Sequence, residues 1–356
     1  MTMKVFCGDV QIGGGAPISI QSMTNTNTAD VKATTKQICE LADAGCQIVR
    51  LAVPDMEAAE AFREIRKNSP VPLVADIHFD YRLAIAAIRN GADKIRINPG
   101  NIGSRDRVEA VVREAKAAGI PIRVGVNSGS LEKSILEKYG RVTAKGLAES
   151  AMNNVKLLES MDFEDIVVSL KSSDVIMNYE AHKIISKLTQ HPLHIGVTEA
   201  GTPARGEIKS AAGIGALLLE GIGDTMRVSL TGDPVREVIF AKKLLAEIGI
   251  RKDSINIVSC PTCGRTKVNL EAIVNKIEAA LMPLEKERAA KGLKGITVAV
   301  MGCAVNGPGE AKEADLGVAC GDGKGLIFIK GETVGTVDEK DIAATLTEKI
   351  RNYESL

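Results

Sequence analysis

The chain has 356 residues, of which 45% are hydrophobic and 3% are aromatic, and its 45 basic side chains balance its 45 acidic ones. A net charge of zero gives no overall field for nucleic acid or an anionic membrane, and so few aromatic rings disfavour a surface on which single-stranded bases stack. No window reaches the ~18 apolar residues of a membrane span, and the first residues do not read as a signal peptide, so we expect a cytoplasmic protein.

Three consecutive glycines, Gly13 to Gly15, come before the first strand-like run. A phosphate or dinucleotide loop needs its glycines between a strand and a helix, whereas here another strand-like segment follows. We therefore expect a turn that leads into the first domain, and no nucleotide cofactor.

Eight short runs rich in β-branched residues recur along the first 250 residues, and each is followed by a longer amphipathic stretch. The runs cover 18–23, 48–53, 72–78, 94–100, 121–127, 166–171, 193–200 and 225–232. Helical periodicity between them is clear at Val31 to Ala44, Met56 to Lys67 and Val108 to Ala118. Eight strand–helix units predict an α/β fold, a parallel (β/α)8 TIM barrel of about 250 residues, which we place at residues 1–250.

The pattern changes after Ile250. A strand at 255–258, a helix near 268–282 and a strand at 295–301 are separated by a turn with two cysteines and by a linker-like segment at 286–294. Two or three short strands and a final helix from about Asp338 to Asn352 follow. We predict a smaller α+β domain over residues 251–356.

Basic side chains recur toward the carboxyl ends of five predicted strands. Buried cations are costly without partners, and barrel enzymes build their sites at this end. Several cations around one pocket suit a small anion, above all a diphosphate. We call these five residues the cationic cup: Arg50, Arg96, Arg123, Lys171 and Arg227.

Other polar side chains share inward faces with the cup, because residues two apart on a strand point the same way. The candidate substrate contacts among them are Asp76, His78, Asn127 and Ser229. A single arginine could instead pair with a barrel carboxylate, but the strands offer only Asp76 and Glu199 to neutralise five cations. Glu199 is the natural proton donor or acceptor, with an arginine partner as the alternative. Asp76 and His78 could position a hydroxyl group, although a structural role for His78 is equally open.

Seven cysteines, an odd number at irregular spacing, argue against a disulfide framework. Cys260 and Cys263 form a CxxC turn, and Cys303 lies in a second turn, so backbone N–H groups are free to hydrogen-bond sulfur. A zinc ribbon needs a second CxxC, which favours an iron–sulfur cluster over structural zinc or free thiols. The fourth ligand stays open between Glu310 and Cys320. The remaining cysteines are expected to be buried: Cys7, Cys39 and Cys46.

Long strings from both predicted domains carry a family resemblance. They are residues 11–18, 21–26, 74–79, 94–103, 123–130, 259–265 and 301–311. In these strings the chain resembles the 4-hydroxy-3-methylbut-2-enyl-diphosphate synthase family, in its two-domain bacterial form. The resemblance implies that 2-C-methyl-D-erythritol 2,4-cyclodiphosphate is converted into (E)-4-hydroxy-3-methylbut-2-enyl diphosphate, a step of the methylerythritol phosphate route to isoprenoids.

The same resemblance implies a cofactor and partners. It implies a homodimer in which the cluster domain of one subunit covers the barrel of the other. It also implies a diphosphate bound among Arg50, Arg96, Arg123 and Lys171, and a [4Fe-4S] cluster held by Cys260, Cys263, Cys303 and Glu310. Because no nicotinamide or flavin motif is visible, we expect ferredoxin or flavodoxin to deliver two electrons singly through the cluster.

A mechanism follows as a hypothesis from the residues and the resemblance together. Glu199 would supply the proton that lets hydroxyl leave as water, and Asn306 would hydrogen-bond the bound intermediate. Glu310 would be an exchangeable ligand, because a carboxylate holds a soft cluster less firmly than a thiolate does.

Two other functions are also compatible with the sequence. One is a cluster-free phosphosugar lyase or isomerase with a structural zinc site, for which Lys171 is a candidate Schiff-base residue. The other is a non-catalytic electron carrier or cluster scaffold, which leaves the cationic cup unexplained.

Overall fold

A computed structural model describes residues 1–303 and 313–353 of the chain. Two compact units divide the chain, Met1–Leu244 and Leu245–Leu356. The sequence places the domain boundary at residue 250, and that boundary stays a prediction. Within the described ranges, no helix is both long and apolar enough to cross a membrane.

The first unit begins with an antiparallel hairpin of β1 (Lys4–Cys7) and β2 (Val10–Gly13). The hairpin was not expected from the sequence. Its apolar side chains pack against inward-facing residues near the starts of barrel strands, among them Ile48 and Val167. Gly13 to Gly15 form a turn with φ angles of 75, 61 and 80°, which only glycine adopts readily, and no helix follows.

Eight parallel strands form the barrel. They are β3 (Ser19–Met23), β4 (Ile48–Ala52), β5 (Leu73–Asp76), β6 (Lys94–Ile97), β7 (Ile122–Asn127), β8 (Ile166–Lys171), β9 (His194–Ile195) and β10 (Thr225–Met226). Their order is β8-β7-β6-β5-β4-β3-β10-β9. A parallel bridge between Val168 and Leu193 joins the two edges, so the sheet closes and the predicted TIM barrel is confirmed.

Helices connect the strands. They are α1 (Val31–Ala44), α2 (Met56–Asn68), α3 (Tyr81–Arg89), α4 (Pro99–Ile102), α5 (Arg105–Ala118), α6 (Lys133–Tyr139), α7 (Ala144–Glu159), α8 (Val175–Ile185), α9 (Pro203–Leu219) and α10 (Pro234–Glu247). Four of them begin at an aspartate whose carboxylate accepts a backbone N–H of the first turn. These N-caps are Asp30, Asp55, Asp80 and Asp174. Capping satisfies donors that a helix leaves unpaired, so each strand-to-helix turn is well defined.

The last two barrel strands are shorter than predicted. The sequence suggests strands at 193–200 and 225–232, but each ladder holds two residues. Glu199 has a φ of 51°, which no strand accommodates. A side chain at Gly196 would lie 2.6 Å from the Arg227 carbonyl oxygen, so the two segments run very close. The residues predicted to extend these strands form the barrel rim instead.

The second unit is an α+β domain, as predicted. Its sheet has the order β11 (Ile255–Ser259), β12 (Ile296–Met301), β13 (Leu316–Cys320), β14 (Lys324–Ile329) and β15 (Glu332–Asp338). The first three strands are parallel, and the last two add antiparallel. Among its described residues, α11 (Leu270–Ala290) and α12 (Ile342–Asn352) pack on the sheet and contribute Ile277 and Leu346 to the apolar core.

The linker predicted at 286–294 is wrong for its first half. Helix α11 continues to Ala290, because Arg288 is buried and anchors the helix end. Its guanidinium donates to the carbonyl oxygens of Ile350, Tyr353 and Lys294 at 2.7, 2.6 and 2.9 Å. In the sequence, a charged residue such as Arg288 is typical of a solvated linker. In the structure, its guanidinium donates hydrogen bonds to carbonyl oxygens near the end of α12.

Candidate active site

The cationic cup forms inside the barrel. On β6, Ile95 and Ile97 are fully buried on one face, and Arg96 between them points inward to Asp76 of β5. Four cup side chains are buried, and the fifth, Arg227, is largely buried. Alternation along each strand therefore explains why these basic residues converge.

Asp76 is the counter-charge at the centre of the cup. Its carboxylate lies 3.2 Å from Arg96 Nη1, 3.6 Å from Arg50 Nε and 3.8 Å from His78 Nε2. Burial alone would raise the pKa of this carboxyl, but the neighbouring guanidiniums, Arg50 first, outweigh burial and lower the pKa to about 2. Asp76 is therefore ionised at neutral pH and orients two cup arginines.

Arg123 and Lys171 have no carboxylate within ion-pair distance among the described residues. Arg123 is 1% exposed and donates to Gln21 Oε1 at 3.3 Å, while its Nε finds no partner among these residues. Burial first, and then the neighbouring cup arginines, lower the pKa of both Arg123 and Lys171 well below their usual values. A buried cation that lacks an anion is costly, so this part of the cup is suited to an anionic ligand.

Arg227 pairs with a carboxylate that sequence reasoning missed. Glu237, in the first turn of α10, accepts hydrogen bonds from Arg227 Nε at 3.3 Å and from Nη2 at 3.2 Å. Glu237 lies on a helix, so it is not among the strand carboxylates, Asp76 and Glu199, that were predicted to neutralise the cup. A signal did exist, because Glu237 lies on the buried stripe of α10 with Ala241 and Leu244.

Two inward-facing glycines leave room for the cup. A Cβ at Gly125 would lie 2.4 Å from Arg96 Nε. A Cβ at Gly196 would lie 3.4 Å from Lys171 Nζ. A side chain at Gly125 would displace the Arg96 guanidinium from its present position, so glycine there lets Arg96 lie against β7.

A cavity of about 620 Å³ opens at the rim of the barrel. Its walls include His78, Arg96, Asn98, Asn127, Thr198 and Glu199. Four of these are predicted site residues, whereas Asn98 and Thr198 were not predicted to belong to the site. Asn98 is buried, its Oδ1 caps α4, and its Nδ2 has no partner within the described ranges. The alternation that predicts an inward-facing Arg96 also places Asn98, two residues later, on the same face. Asn98 could therefore have been predicted from the sequence.

Glu199 lies at the rim in a strained backbone conformation. It is exposed, its φ is 51°, and it forms no ion pair with a cup residue in the described part of the chain. The alternative role of Glu199 as an arginine partner therefore has no support here. Left-handed backbone at a non-glycine residue costs of order 1 kcal/mol and is concentrated at functional sites.

The remaining predicted substrate contacts in the barrel are less buried than the cup residues. His78 is exposed beside Asp76, and Asn127 is half-buried at the end of β7. Ser229 is half-buried on the rim segment after β10, and no hydrogen bond of its side chain reaches the cup among the described residues.

Two loops that carry cysteines follow the carboxyl ends of neighbouring strands in the second unit's sheet. Strands β11 and β12 are adjacent and parallel, with Ser259 opposite Val300, so Cys260 and Cys303 follow neighbouring carboxyl ends. The Gly302 N–H donates to Cys260 Sγ at 3.1 Å. Cys263 is exposed, and the backbone N–H of Arg265 lowers the pKa of its thiol.

These loops have the donor chemistry of an iron–sulfur site. Amide hydrogen bonds to sulfur and a lowered thiol pKa both favour the thiolate that binds a cluster. Among the residues described, no three His, Cys, Asp or Glu side chains lie close enough together to hold a metal ion. Asn306 and Glu310 lie outside the described residues.

Cys320 has the opposite character. It is fully buried in the core of the second unit, and burial raises the pKa of its thiol to about 11. Burial likewise raises the pKa of Cys7 to about 11 and of Cys46 to about 12, whereas Cys39 is half-buried. The choice between Glu310 and Cys320 as the fourth ligand stays a prediction, because Glu310 lies outside the described residues.

The fold and these two sets of side chains define a two-domain TIM-barrel enzyme, with a cationic pocket in the barrel and a cysteine-bearing α+β domain. Residues 2–242 match the GcpE TIM-barrel domain, and residues 256–352 match the GcpE protein C-terminal domain. The chain belongs to the GcpE family.

Curated relatives share nearly the full length of the chain. The 4-hydroxy-3-methylbut-2-en-1-yl diphosphate synthase (flavodoxin) of Clostridium perfringens is 57% identical over 349 residues, 98% of each chain. The protein of the same name from Ruminiclostridium cellulolyticum is 56% identical, with 98% of this chain and 97% of its own covered. The one from Fusobacterium nucleatum is 54% identical, with 98% and 96% covered. The family resemblance predicted from the sequence is confirmed.

Two solved structures of low sequence identity resemble the larger part of the chain. Dihydropteroate synthase from Stenotrophomonas maltophilia has a TM-score of 0.51 at 14% identity, covering 69% of this chain and 98% of that one. Type I 3-dehydroquinate dehydratase from Clostridium difficile has a TM-score of 0.51 at 15% identity, covering 70% and 97%. Such low identity supports the fold and carries no function.

Proposed function

We propose that the chain converts 2-C-methyl-D-erythritol 2,4-cyclodiphosphate into (E)-4-hydroxy-3-methylbut-2-enyl diphosphate by a two-electron reduction. The observation that carries the proposal is the cationic cup, whose five cations pair with only two carboxylates, Asp76 and Glu237, among the described residues. Relatives that match 98% of the chain are named for the synthesis of this diphosphate. A cluster-free lyase or isomerase has no comparable support.

The cup would bind the diphosphate of the substrate. Arg123 and Lys171 supply charge that no protein carboxylate neutralises within the described residues, and Asp76 orients Arg50 and Arg96. Guanidinium groups match phosphate oxygens in geometry. Further contacts to the substrate are proposed for His78, Asn127, Arg227 and Ser229.

The second unit would hold a [4Fe-4S] cluster. We propose as its ligands Cys260, Cys263, Cys303 and Glu310, supported by the hydrogen-bonded sulfur of Cys260 and the lowered pKa of Cys263. When bound, the cluster supplies electrons one at a time. The names of the relatives support flavodoxin as the donor of those electrons.

Proton transfer is proposed for a residue at the barrel rim. Glu199 is the proposed proton donor to the leaving hydroxyl, and its strained backbone and its place in the cavity wall support that role. Asp76 and His78 would orient the substrate hydroxyl group, and Asn306 would hydrogen-bond the intermediate.

The working unit is proposed to be a cytoplasmic homodimer. In it, the cluster domain of one subunit would cover the barrel of the other.

The test is turnover of the cyclodiphosphate by anaerobically purified protein with reduced flavodoxin. We expect the diphosphate product, together with visible absorbance that bleaches with dithionite and an electron paramagnetic resonance signal that substrate alters. Protein that stays colourless after iron–sulfide reconstitution and yields no product would overturn the proposal.

Replacing Glu199 by Gln tests the proton role. The variant Glu199→Gln keeps the size of the side chain but removes its acid, so we expect cluster absorbance to be unchanged and turnover to fall by roughly 100-fold or more. Single-turnover product yield is the measurement. Turnover close to that of the unmodified chain would exclude Glu199 as the acid.

A further inference from the structure

Glu237 is a buried carboxylate on a helix, and it connects three segments of the barrel. These are α10, strand β3 and the rim segment after β10. Glu237 is 3% exposed. Ser22 Oγ donates to its Oε2 at 2.9 Å, and the Leu230 N–H donates to its Oε1 at 3.0 Å. With the two hydrogen bonds from Arg227, both carboxylate oxygens accept two hydrogen bonds each. The carboxylate is therefore held from a strand, from the rim segment and from a cup cation at once.

The hydrogen bonds to Glu237 fix one edge of the Arg227 guanidinium. Nε and Nη2 face the carboxylate, and Nη1 is directed to the Met23 sulfur at 3.7 Å. The same sulfur accepts Arg50 Nε and Nη2 at 3.1 and 3.0 Å. Through Met23, the position of Arg227 is coupled to that of Arg50.

Repulsion between Arg227 and Arg50 makes the hydrogen bonds to Glu237 necessary. Arg227 and Arg50 converge on one thioether, which is a weak acceptor and carries no negative charge. Arg50 lies 3.6 Å from Asp76, which it shares with Arg96. Without Glu237, Arg227 would be a largely buried cation beside another cation, and repulsion would turn it out of the cup.

We propose that Glu237 is a positioning residue for diphosphate binding. It holds the Arg227 guanidinium inside the cup, and through the Leu230 N–H it holds the rim segment that carries Arg227. Glu237 itself touches no ligand. This inference rests on the proposed function, because it takes the ligand of the cup to be a diphosphate.

The experiment compares the unmodified chain with Glu237→Gln, which keeps the shape and removes the charge. We expect KM for the cyclodiphosphate to rise ~10-fold with kcat within about twofold, since a charge-assisted hydrogen bond contributes to binding at this scale. Calorimetry with inorganic pyrophosphate should give a parallel rise in Kd, and this readout does not depend on the cluster. A change in kcat with KM unaltered would overturn the proposal.

Two further variants separate positioning from a general loss of structure. In an Arg227→Met background, Glu237→Gln should add no further loss of pyrophosphate affinity, because Glu237 acts through Arg227. An additional full loss in that background would overturn the proposal. Ser22→Ala, which removes one hydrogen bond to the carboxylate and alters no cation, should raise Kd about two- to threefold even if Glu237→Gln proves unstable.

Glu114→Gln is the matched control. Glu114 binds Arg89 by the same two-pronged geometry, at 3.0 and 2.7 Å, between α3 and α5 on the outside of the barrel. Its loss should leave KM and Kd unchanged. If the unmodified chain binds no pyrophosphate and turns over no cyclodiphosphate, the proposed function fails. If it does both and Glu237→Gln matches it, only this inference fails.

Discussion

Lys171 has its amine buried among guanidinium groups at the end of β8, and this placement makes ligand binding depend on pH. Burial first, and then Arg50 and the other cup arginines, lower its pKa well below the usual value for lysine. A bound diphosphate would favour the charged amine and so raise that pKa again. Binding should therefore take up a proton wherever the pH lies between the pKa of free Lys171 and the pKa of bound Lys171.

The expected result is an affinity for inorganic pyrophosphate that is highest at pH values below the free pKa and falls as the pH rises through it. The sign follows from linkage, because the ligand prefers the form that is lost at high pH. Calorimetry in buffers of different ionisation enthalpy measures the proton uptake directly. Lys171→Met in the same buffers corrects for the titration of pyrophosphate itself. If the unmodified chain and the variant take up the same number of protons, Lys171 is not the titrating group.

The cup residues could be predicted at this scale, because a period of two along a strand decides which side chains point into a closed barrel. Arg96 and Arg123 face inward for that reason alone. The partner of Arg227 could not be found by the same rule, since Glu237 comes from a helix whose orientation the sequence does not give. The remaining signal in the sequence was the position of an acidic residue, Glu237, on the apolar stripe of α10.

At the scale of elements, the end of α11 depends on a single buried side chain. Arg288 donates to carbonyl oxygens of Ile350, Tyr353 and Lys294. Replacing it with Met leaves these acceptors without charged donors, and we expect the second unit to lose roughly 2–3 kcal/mol of unfolding free energy. Urea unfolding of the full chain, followed by far-ultraviolet circular dichroism, measures the loss.

Arg351→Met provides the comparison for that prediction. Arg351 joins the same two helices through Glu287 at 2.7 Å, but both side chains are 44% exposed. An exposed pair contributes about 0–1 kcal/mol. Equal losses for the two variants would mean that the buried contacts of Arg288 do not stabilise the domain.

Element boundaries show where local pattern stops being informative. The sequence pattern predicted the limits of α1 correctly, because an aspartate cap and a glycine end enclose a regular apolar stripe. It overextended β9 and β10, because β-branched residues continue past Ile195 and Met226, where the two ladders end. It ended α11 too early, because a buried arginine and a solvated one look the same in the sequence.

At the scale of the whole molecule, the proposed homodimer makes a prediction about where each active site is assembled. If the cluster domain of one subunit serves the barrel of the other, a barrel defect and a cluster defect on different subunits can complement each other. Glu199→Gln supplies the barrel defect, and Cys263→Ser supplies the cluster defect. Each homodimer alone should be inactive.

Refolding or coexpressing the two variants together should restore about a quarter of the specific activity of the unmodified chain, since random pairing makes half of the dimers mixed and each mixed dimer has one intact site. Product formation, measured with affinity tags that isolate the mixed dimer, should then reach about half of that activity per dimer. If each cluster domain served its own barrel, every site in the mixed dimer would carry one defect. Mixed dimers as inactive as the parents would therefore rule out assembly of the site across two subunits, while leaving the chemistry proposed for each domain intact.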